Sequence, residues 1–510
     1  MTFSPPFIRH HRPKIRSEYA QAIRDAGRDG YAAAGHDATL SNFDPLDRGP
    51  HVRQYTLRTI RARCVDFDRN NPLAGALVNV LTDAVIGRGI RCRPDVDAQA
   101  LGMREQDADS WNRQALDIWE SVSDSPQFDI SGQRNFYATQ WLAFRTALTG
   151  GDCFVVLPTQ RRRDGCPVET RTQLIDPGLV SNPYGQPERD GYVGGIRSTP
   201  TGEPVSYAIR NFFEEDAFST RAPMWQTVQA RTPGPPPLRN VLHIMRATRP
   251  GQVRGIPLLA RSLTAIHQLG QYTTAELEAA RLAACYTLFV KSEFGQGVGS
   301  GYGIPSGGAT SGWTSRYPPG YLETDFGKSL ELMPGDDVSA PTPGRPSTSF
   351  GGFATEMYKI IGASTGIPYE VFTMDFRKSF SASKAALMRL AETVATYQAQ
   401  TIDQICSPVF QTVICYAAAI GLLPVPDAFF ANYRVRRAFL RCRWIAPHRP
   451  HLEPAREITA LVAAVKAGLI PASHAVEATS GMSFEAVQES IAAETRLRNK
   501  LNVKTEEKKK

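Results

Sequence analysis

The stretch Arg249-Pro-Gly-Gln-Val-Arg-Gly-Ile-Pro-Leu-Leu-Ala260 decides how this chain is read. Pro250-Gly251 is a turn dipeptide, Gly255 supplies backbone freedom, and Pro257 stands where the first turn of a helix tolerates a missing amide. A helix is therefore expected to start at Ile256 or Pro257 and to run unbroken to about Cys285. Leu259, Leu263, Ile266 and Leu269 recur at spacings of three and four, and Leu277 extends the stripe. Glu276, Glu278 and Arg281 are the charged interruptions of an amphipathic helix. At ~1.5 Å per residue it would be roughly 40 Å long, which implies a large scaffold. A core helix after a tight turn fits the same pattern, so local physics leaves the function open.

Upstream, residues 1 to about 50 are rich in Arg, Pro, Gly and Ala with little periodicity and read as an N-terminal arm. Asn71-Pro72 is a good cap and first-turn pair, with Leu73, Leu77, Val80 and Leu81 at helical spacing before Gly87. Trp111, Ala115, Ile118, Trp119 and Val122 mark another helix, and Phe136 to Leu148 a third. Cys153 to Leu157 is a short apolar run after a double glycine, and Ile196 with Val205 to Ile209 flanks Thr199-Pro-Thr-Gly202 as a hairpin would. Helices and strands are interleaved without a β-α repeat, so the fold class expected is α+β. Two Gly/Pro segments interrupt it: Arg231 to Pro237, and Gly295 to Gly320, whose composition predicts a surface insertion.

Downstream, Leu387, Leu390, Val394, Tyr397, Ile402, Ile405, Val409 and Val413 form one long apolar stripe, with a kink expected at Pro408. A strand-like basic segment follows. Between Asp427 and Glu453 there is no acidic residue, while Arg434, Arg436, Arg437, Arg441, Arg443 and Arg449 all fall there. A helix from about Pro454 to Ala467, a polar loop holding His474, Thr479 and Ser480, a last helix from Ser483 and a charged tail complete the chain.

Gln252-Val-Arg-Gly-Ile-Pro-Leu-Leu-Ala260, preceded by His243, resembles the central signature of the lambda-type portal proteins of tailed phages. Other blocks resemble that family in its order: Arg69-Asn-Asn-Pro-Leu-Ala74 through Val85-Ile-Gly-Arg-Gly-Ile90, Gly150-Gly-Asp-Cys-Phe-Val-Val156, Gly366-Ile-Pro-Tyr-Glu370 with Ser379-Phe-Ser-Ala-Ser-Lys384, and Trp444 with Glu453-Pro-Ala-Arg-Glu457. Glu453 stands where the family has an aspartate, and Ala382-Ser383-Lys384 replaces a Ser-Ala-Arg-like pattern. The resemblance implies a portal fold with an arm (1–50), a mixed wing body (51–380), a first stem helix (381–422), a small clip (423–452), a second stem helix (453–468), a tunnel loop (469–483), a wing or crown helix (484–501) and a tail (502–510).

It further implies a dodecameric ring at one capsid vertex of the virion, assembled in the host cytoplasm. Double-stranded DNA would pass through this conduit in packaging and ejection. The implied partners are further copies of the chain, the terminase large subunit, the major capsid or scaffolding protein, and head-completion or adaptor proteins. Lys466, His474, Thr479 and Ser480 are the candidate channel residues. Arg434, Arg436, Arg437, Arg441 and Arg443 are candidates for terminase docking, with solvated strand faces or subunit salt bridges as the alternative. Gln252, Arg254, Gly255 and Pro257 are expected to be architectural.

Composition agrees with a globular chain: of 510 residues, 42% are hydrophobic and 21% charged. A net charge of +8 favours an anionic partner such as nucleic acid. No segment approaches the ~20 apolar residues of a membrane helix, and no signal-peptide core is evident, so neither a membrane partner nor export is expected. The eight cysteines form no Cys-x-x-Cys pair, which indicates neither a zinc ribbon nor a disulfide framework.

Three motifs suggest chemistry. Gly362-Ala-Ser364-Thr-Gly366 matches a nucleophile elbow, with Asp375 and His448 in triad order, but the preceding segment reads as a helix where an elbow needs a strand. Gly327-Lys328-Ser329 resembles the end of a phosphate loop whose first glycine is replaced by Leu322. Cys442, His448, His451 and Glu453 lie close in sequence without the paired spacing of a zinc site. No catalytic residue, metal or cofactor is therefore expected. The rival to a passive conduit is a monomeric nucleic-acid-processing or serine hydrolase enzyme built on the Gly362–Gly366 elbow.

Overall fold

Asn71 shows how local sequence sets the first elements. Its backbone amide donates to the Phe67 carbonyl at the end of helix α1 (Gln54–Asn70), and its side chain accepts from the amides of Leu73 and Ala74 to open α2 (Pro72–Val85) with proline in the first turn. The computed structural model describes residues 52–189, 191–211, 224–234, 236–284, 289–292, 336–339, 350–377, 379–447, 454–480 and 484–500. The 295–320 segment, the Gly327 motif, and His448, His451 and Glu453 lie outside them.

Strand β1 (Arg91–Pro94) follows, then α3 (Ala98–Leu101), α4 (Glu105–Ser123), α5 (Phe136–Gly150), β2 (Asp152–Val156) and β3 (Gln173–Ile175). Next come β4 (Tyr192–Val193), β5 (Ile196–Ser198), β6 (Pro204–Arg210), β7 (Trp225–Gln229), β8 (Val241–Met245), α6 (Leu263–Ala284), β9 (Phe289–Ser292) and β10 (Asp336–Ser339). The chain continues through α7 (Phe350–Thr365), α8 (Tyr369–Thr373), α9 (Phe380–Thr401), α10 (Ser407–Ala419), α11 (Ala428–Ala431), α12 (Tyr433–Phe439), β11 (Cys442–Ile445), α13 (Pro454–Lys466), α14 (Ala472–Ser480) and α15 (Phe484–Lys500). Every strand pairing within the sheets is antiparallel, in the orders β3-β2-β8, β4-β5-β6-β7, β1-β11 and β9-β10. That is the α+β class expected, including the hairpin between β5 and β6.

Strand β2 is buried along its whole length and divides the interior by its pleat. Cys153 and Val155, with Leu157 beyond, pack into a helical core that contains Trp111, Trp119, Phe136, Phe410 and Val413. Phe154 and Val156 face the opposite way, into a smaller core with Ile196, Tyr207 and Val241. The stripe on α9 and α10 is inward as its spacing requires, with Leu390, Val394, Tyr397, Ile405, Val409 and Val413 all buried.

Several expectations change. The helix foreseen from Ile256 or Pro257 begins instead as a 3-10 turn over Leu258–Arg261, breaks at Ser262, and becomes α-helical at Leu263. Pro257 is extended, with ψ of 146°, and stands outside the helix as its cap. On α6, Leu277 is 60% exposed while Glu276 is 5% exposed. The two positions lie about 100° apart around the helix, so the buried face follows Ile266 and Leu269 to Glu276.

Pro408 does not interrupt the long helix at its own position. A π-turn over Ile402–Cys406 takes up the irregularity, and Ser407 donates its amide to the Ile402 carbonyl. Proline cannot bond the residue four before it and its ring crowds that carbonyl, so the wider turn lets the chain continue.

The basic segment is mainly helical, not strand-like. The Asn432 side chain accepts from the Arg434 amide to start α12, and among the described residues of the segment only Cys442–Ile445 is strand. The loop expected over 469–483 contains helix α14, in which Thr479 donates its hydroxyl to the Ala475 carbonyl at 2.7 Å. Finally, Cys92 and Cys442 are joined by a disulfide across 350 residues of sequence, where no disulfide was indicated.

Candidate functional site

The signature stretch folds around one buried carboxylate that sequence reasoning did not single out. Asp152, directly after Gly150-Gly151, is fully buried at the start of β2. Its Oδ2 accepts from Arg254 Nε at 2.6 Å and from the Gly255 amide at 3.1 Å, and His243 Nε2 lies 3.3 Å from it. Its Oδ1 accepts from Arg61 at 2.8 Å and from the second fork of Arg254 at 3.2 Å. Arg254 spends its remaining donors on the carbonyls of Val180, Gly194 and Pro177, at 2.6 to 2.9 Å. A single guanidinium therefore ties β2, the turn between β4 and β5 and the segment after β3 together with planar, charge-assisted bonds.

The electrostatics follow from this packing. Burial pushes the Asp152 carboxyl up, but the charges of Arg254 and Arg61 and the bonds from His243 and Arg254 outweigh it and hold it well below the usual range. Burial, with repulsion from Arg254, brings Arg61 down to about 10, and burial also lowers His243, which Asp152 only partly offsets. His243 stacks on Phe154 with ring centroids 4.4 Å apart, and Arg254 lies over the same ring at 5.2 Å.

Gly255 and Gly151 make this approach possible. A Cβ on Gly255 would fall inside the Gly151 carbonyl, and one on Gly151, whose φ is +89°, would come within 2.6 Å of the Gly255 oxygen. Gln252 braces the turn: its Oε1 accepts from the Thr248 amide at 2.9 Å and its Nε2 donates to the Arg254 carbonyl at 2.8 Å. Gln252, Arg254 and Gly255 thus direct their polar groups to partners within the chain, and Pro257 caps the 3-10 turn. A saturated carboxylate has no lone pair to offer a substrate.

The basic residues divide by role. Arg436 donates to the carbonyls of Phe429 and Phe430, closing α11, and Arg441 bridges Asp95 at 2.8 Å and Asp97 at 3.3 Å. Arg443 sits on β11 opposite Arg93. Arg434 and Arg437 are exposed on α12, three residues apart and so on one face. The structure therefore gathers the five arginines in one region and leaves the Arg434–Arg437 face outward.

Near the C-terminus, Lys466 lies in the last turn of α13, where a cation favours the helix dipole. His474, Thr479 and Ser480 share α14, with His474 exposed and Thr479 half-buried. On α13, Ile458 and Val462 are exposed one turn apart.

Ser364 lies inside α7, and its hydroxyl donates to the Ile361 carbonyl at 2.8 Å. Gly366 takes a φ of +77° and stops that helix, and Asp375 holds Arg377 at 2.8 Å. This geometry is a helix terminus, without the strand that would present a nucleophile. Cys442 is paired with Cys92 in a disulfide, and in that form its sulfur is not a zinc ligand.

The family described as "Phage portal protein, lambda family" matches residues 36–398. Portal protein B of Escherichia phage lambda is 22% identical over 435 residues, covering 80% of this chain and 78% of the relative. Among solved structures, a chain of the neck of a native GTA particle computed with C12 symmetry aligns at 13% identity and a TM-score of 0.43, over 81% of this chain and 92% of that one. A chain of a virion of a native gene transfer agent aligns at 13% identity and 0.42, over 86% and 96%.

Proposed function

Because this chain belongs to the lambda family of phage portal proteins, we propose that it assembles as a dodecameric ring at one capsid vertex and serves as the conduit for double-stranded DNA in packaging and ejection. The observation that carries this reading is the family match across residues 36–398. The packing agrees with a passive role, because the signature arginine is consumed in tying strands together.

Assembly would take place in the host cytoplasm, with capsid or scaffolding protein around the ring. The terminase large subunit would dock first, and head-completion or adaptor proteins would replace it. The exposed Arg434–Arg437 face is the docking surface assigned to the terminase, with Arg436, Arg441 and Arg443 supporting it. Lys466, His474, Thr479 and Ser480, on α13 and α14, are assigned to the channel.

The physics of sliding favours polar groups there. Each phosphate neutralised by Lys or Arg adds affinity and salt dependence, and ring symmetry multiplies every contact about twelvefold. A densely basic bore would hold DNA instead of passing it. Hydroxyls and an imidazole give weak contacts that exchange readily, and one lysine near the bore guides without trapping.

Electron microscopy of the purified full chain tests the reading. Rings with an open centre are expected. Monomers alone, with hydrolase activity lost in Ser364→Ala, would overturn it.

A further inference from the structure

The pairing of β1 with β11 joins segments 350 residues apart in a sheet that has two strands among the described residues. Such a pair is weak by itself, and its register sets Arg93 directly opposite Arg443. The disulfide runs diagonally across this point, because Cys92 is opposite Trp444 and Cys442 is opposite Pro94.

The two cysteines share one sequence context. Each is flanked by arginine on both sides, as Arg91-Cys92-Arg93 and Arg441-Cys442-Arg443. Cys442 is half-buried, so a small reagent can reach it. Cys92 is buried, as are Cys64, Cys153, Cys406 and Cys415. Burial pushes Cys64 and Cys415 up to about 12 and raises Cys153 and Cys406 as well, which keeps them inert.

We propose that Cys92 and Cys442 form a reversible redox latch that fastens the basic α12–β11 segment to the body of the chain. The oxidant is a low-molecular-weight disulfide such as oxidised glutathione. The Cys442 thiolate attacks one of its sulfurs and expels the first small thiolate. The Cys92 thiolate then attacks Cys442 in the mixed disulfide and expels the second. Two small thiols leave with the two protons the cysteines lost, and the two electrons pass to the reagent.

The reduced state stays folded, because other contacts hold β11. The Trp444 indole donates to Ser407 Oγ at 3.1 Å and meets Trp119 and Phe410 edge-on, and Arg441 keeps its bonds to Asp95 and Asp97. Reduction therefore loosens the segment locally. The latch is independent of what docks on the arginines.

The test uses the full chain held in oxidised glutathione or in dithiothreitol, read by non-reducing peptide mass spectrometry and by amide hydrogen exchange. In the oxidised sample a linked Cys92–Cys442 peptide is expected, with Cys166 still open to alkylation. In dithiothreitol, exchange over 433–445 and 91–94 should rise on the order of tenfold or more, while Ser407–Ala419 keeps its protection. Cys442→Ser should show the fast exchange under both conditions. Glutathione held on Cys442 with no internal link would overturn the proposal. Equal exchange in the two redox states would overturn it too.

Discussion

Asp152 shows how much one side chain can organise. Removing its charge leaves two buried guanidiniums without a counter-ion, which costs far more than the pair itself contributes. Asp152→Asn is therefore expected to destabilise the chain by about 3–5 kcal/mol, read as a fall in the urea midpoint. The pH dependence follows from the same group. Its folded pKa is depressed, so its contribution is complete above the unfolded value of about 3.9 and fades as pH falls through the folded value. His243 acts earlier: its folded pKa is also lowered, so the unfolded chain binds more protons as pH drops through about 6.5, and acidification there favours unfolding. Stability should thus decline in two stages on acidification, and His243→Gln should remove the upper one. A urea midpoint that stays flat from pH 7 to 5 in both proteins would show that His243 is not held neutral.

Among the elements, the same residue type carries opposite consequences. Gly255 faces the Gly151 carbonyl with no room for a methyl group, and Gly255→Ala is expected to cost about 3 kcal/mol, the upper end for overpacking. Gly270 lies within α6, and a Cβ there would meet nothing within 4 Å. Gly270→Ala should therefore stabilise by about 0.5–1 kcal/mol, because a helical glycine loses more backbone entropy than alanine. Thermal melts of the two variants should move in opposite directions. Elements with a local cause were readable in the sequence. Asn71-Pro72 caps a helix as expected, and Ser379, not singled out as a cap, also caps one, its Oγ accepting from the Ala382 amide at 3.1 Å. Elements whose form depends on distant packing were less so. The polar run 472–480 looks like a loop by composition, yet it closes into helix α14.

For the whole molecule, the division of the arginines refines where a docking surface should be sought. Reversing Arg436 or Arg441 would confound structure with binding, because these side chains hold α11 carbonyls and Asp95 with Asp97. The double variant Arg434→Glu/Arg437→Glu avoids both. Rings should still form in the electron microscope, while co-purification of the terminase large subunit should fall by tenfold or more, on the order of 1.4 kcal/mol. Loss of rings would instead assign this face to contacts between subunits.

The sequence by itself determined the α+β class, the capped helices, the long stripe that becomes α9 and α10, and the family. Each of these depends on spacing or on motifs that neighbouring residues satisfy among themselves. It also argued against a serine elbow, because the residues before Ser364 read as helix. Only the tertiary structure decided that Asp152 is the centre on which Arg254, Arg61, His243 and Gly255 converge, since the partners lie 91 to 103 positions away. It also decided that Cys92 meets Cys442 across 350 residues. A chain's periodicity records which faces are apolar; which distant charges and sulfurs share one point is fixed only when the sheets and helices pack.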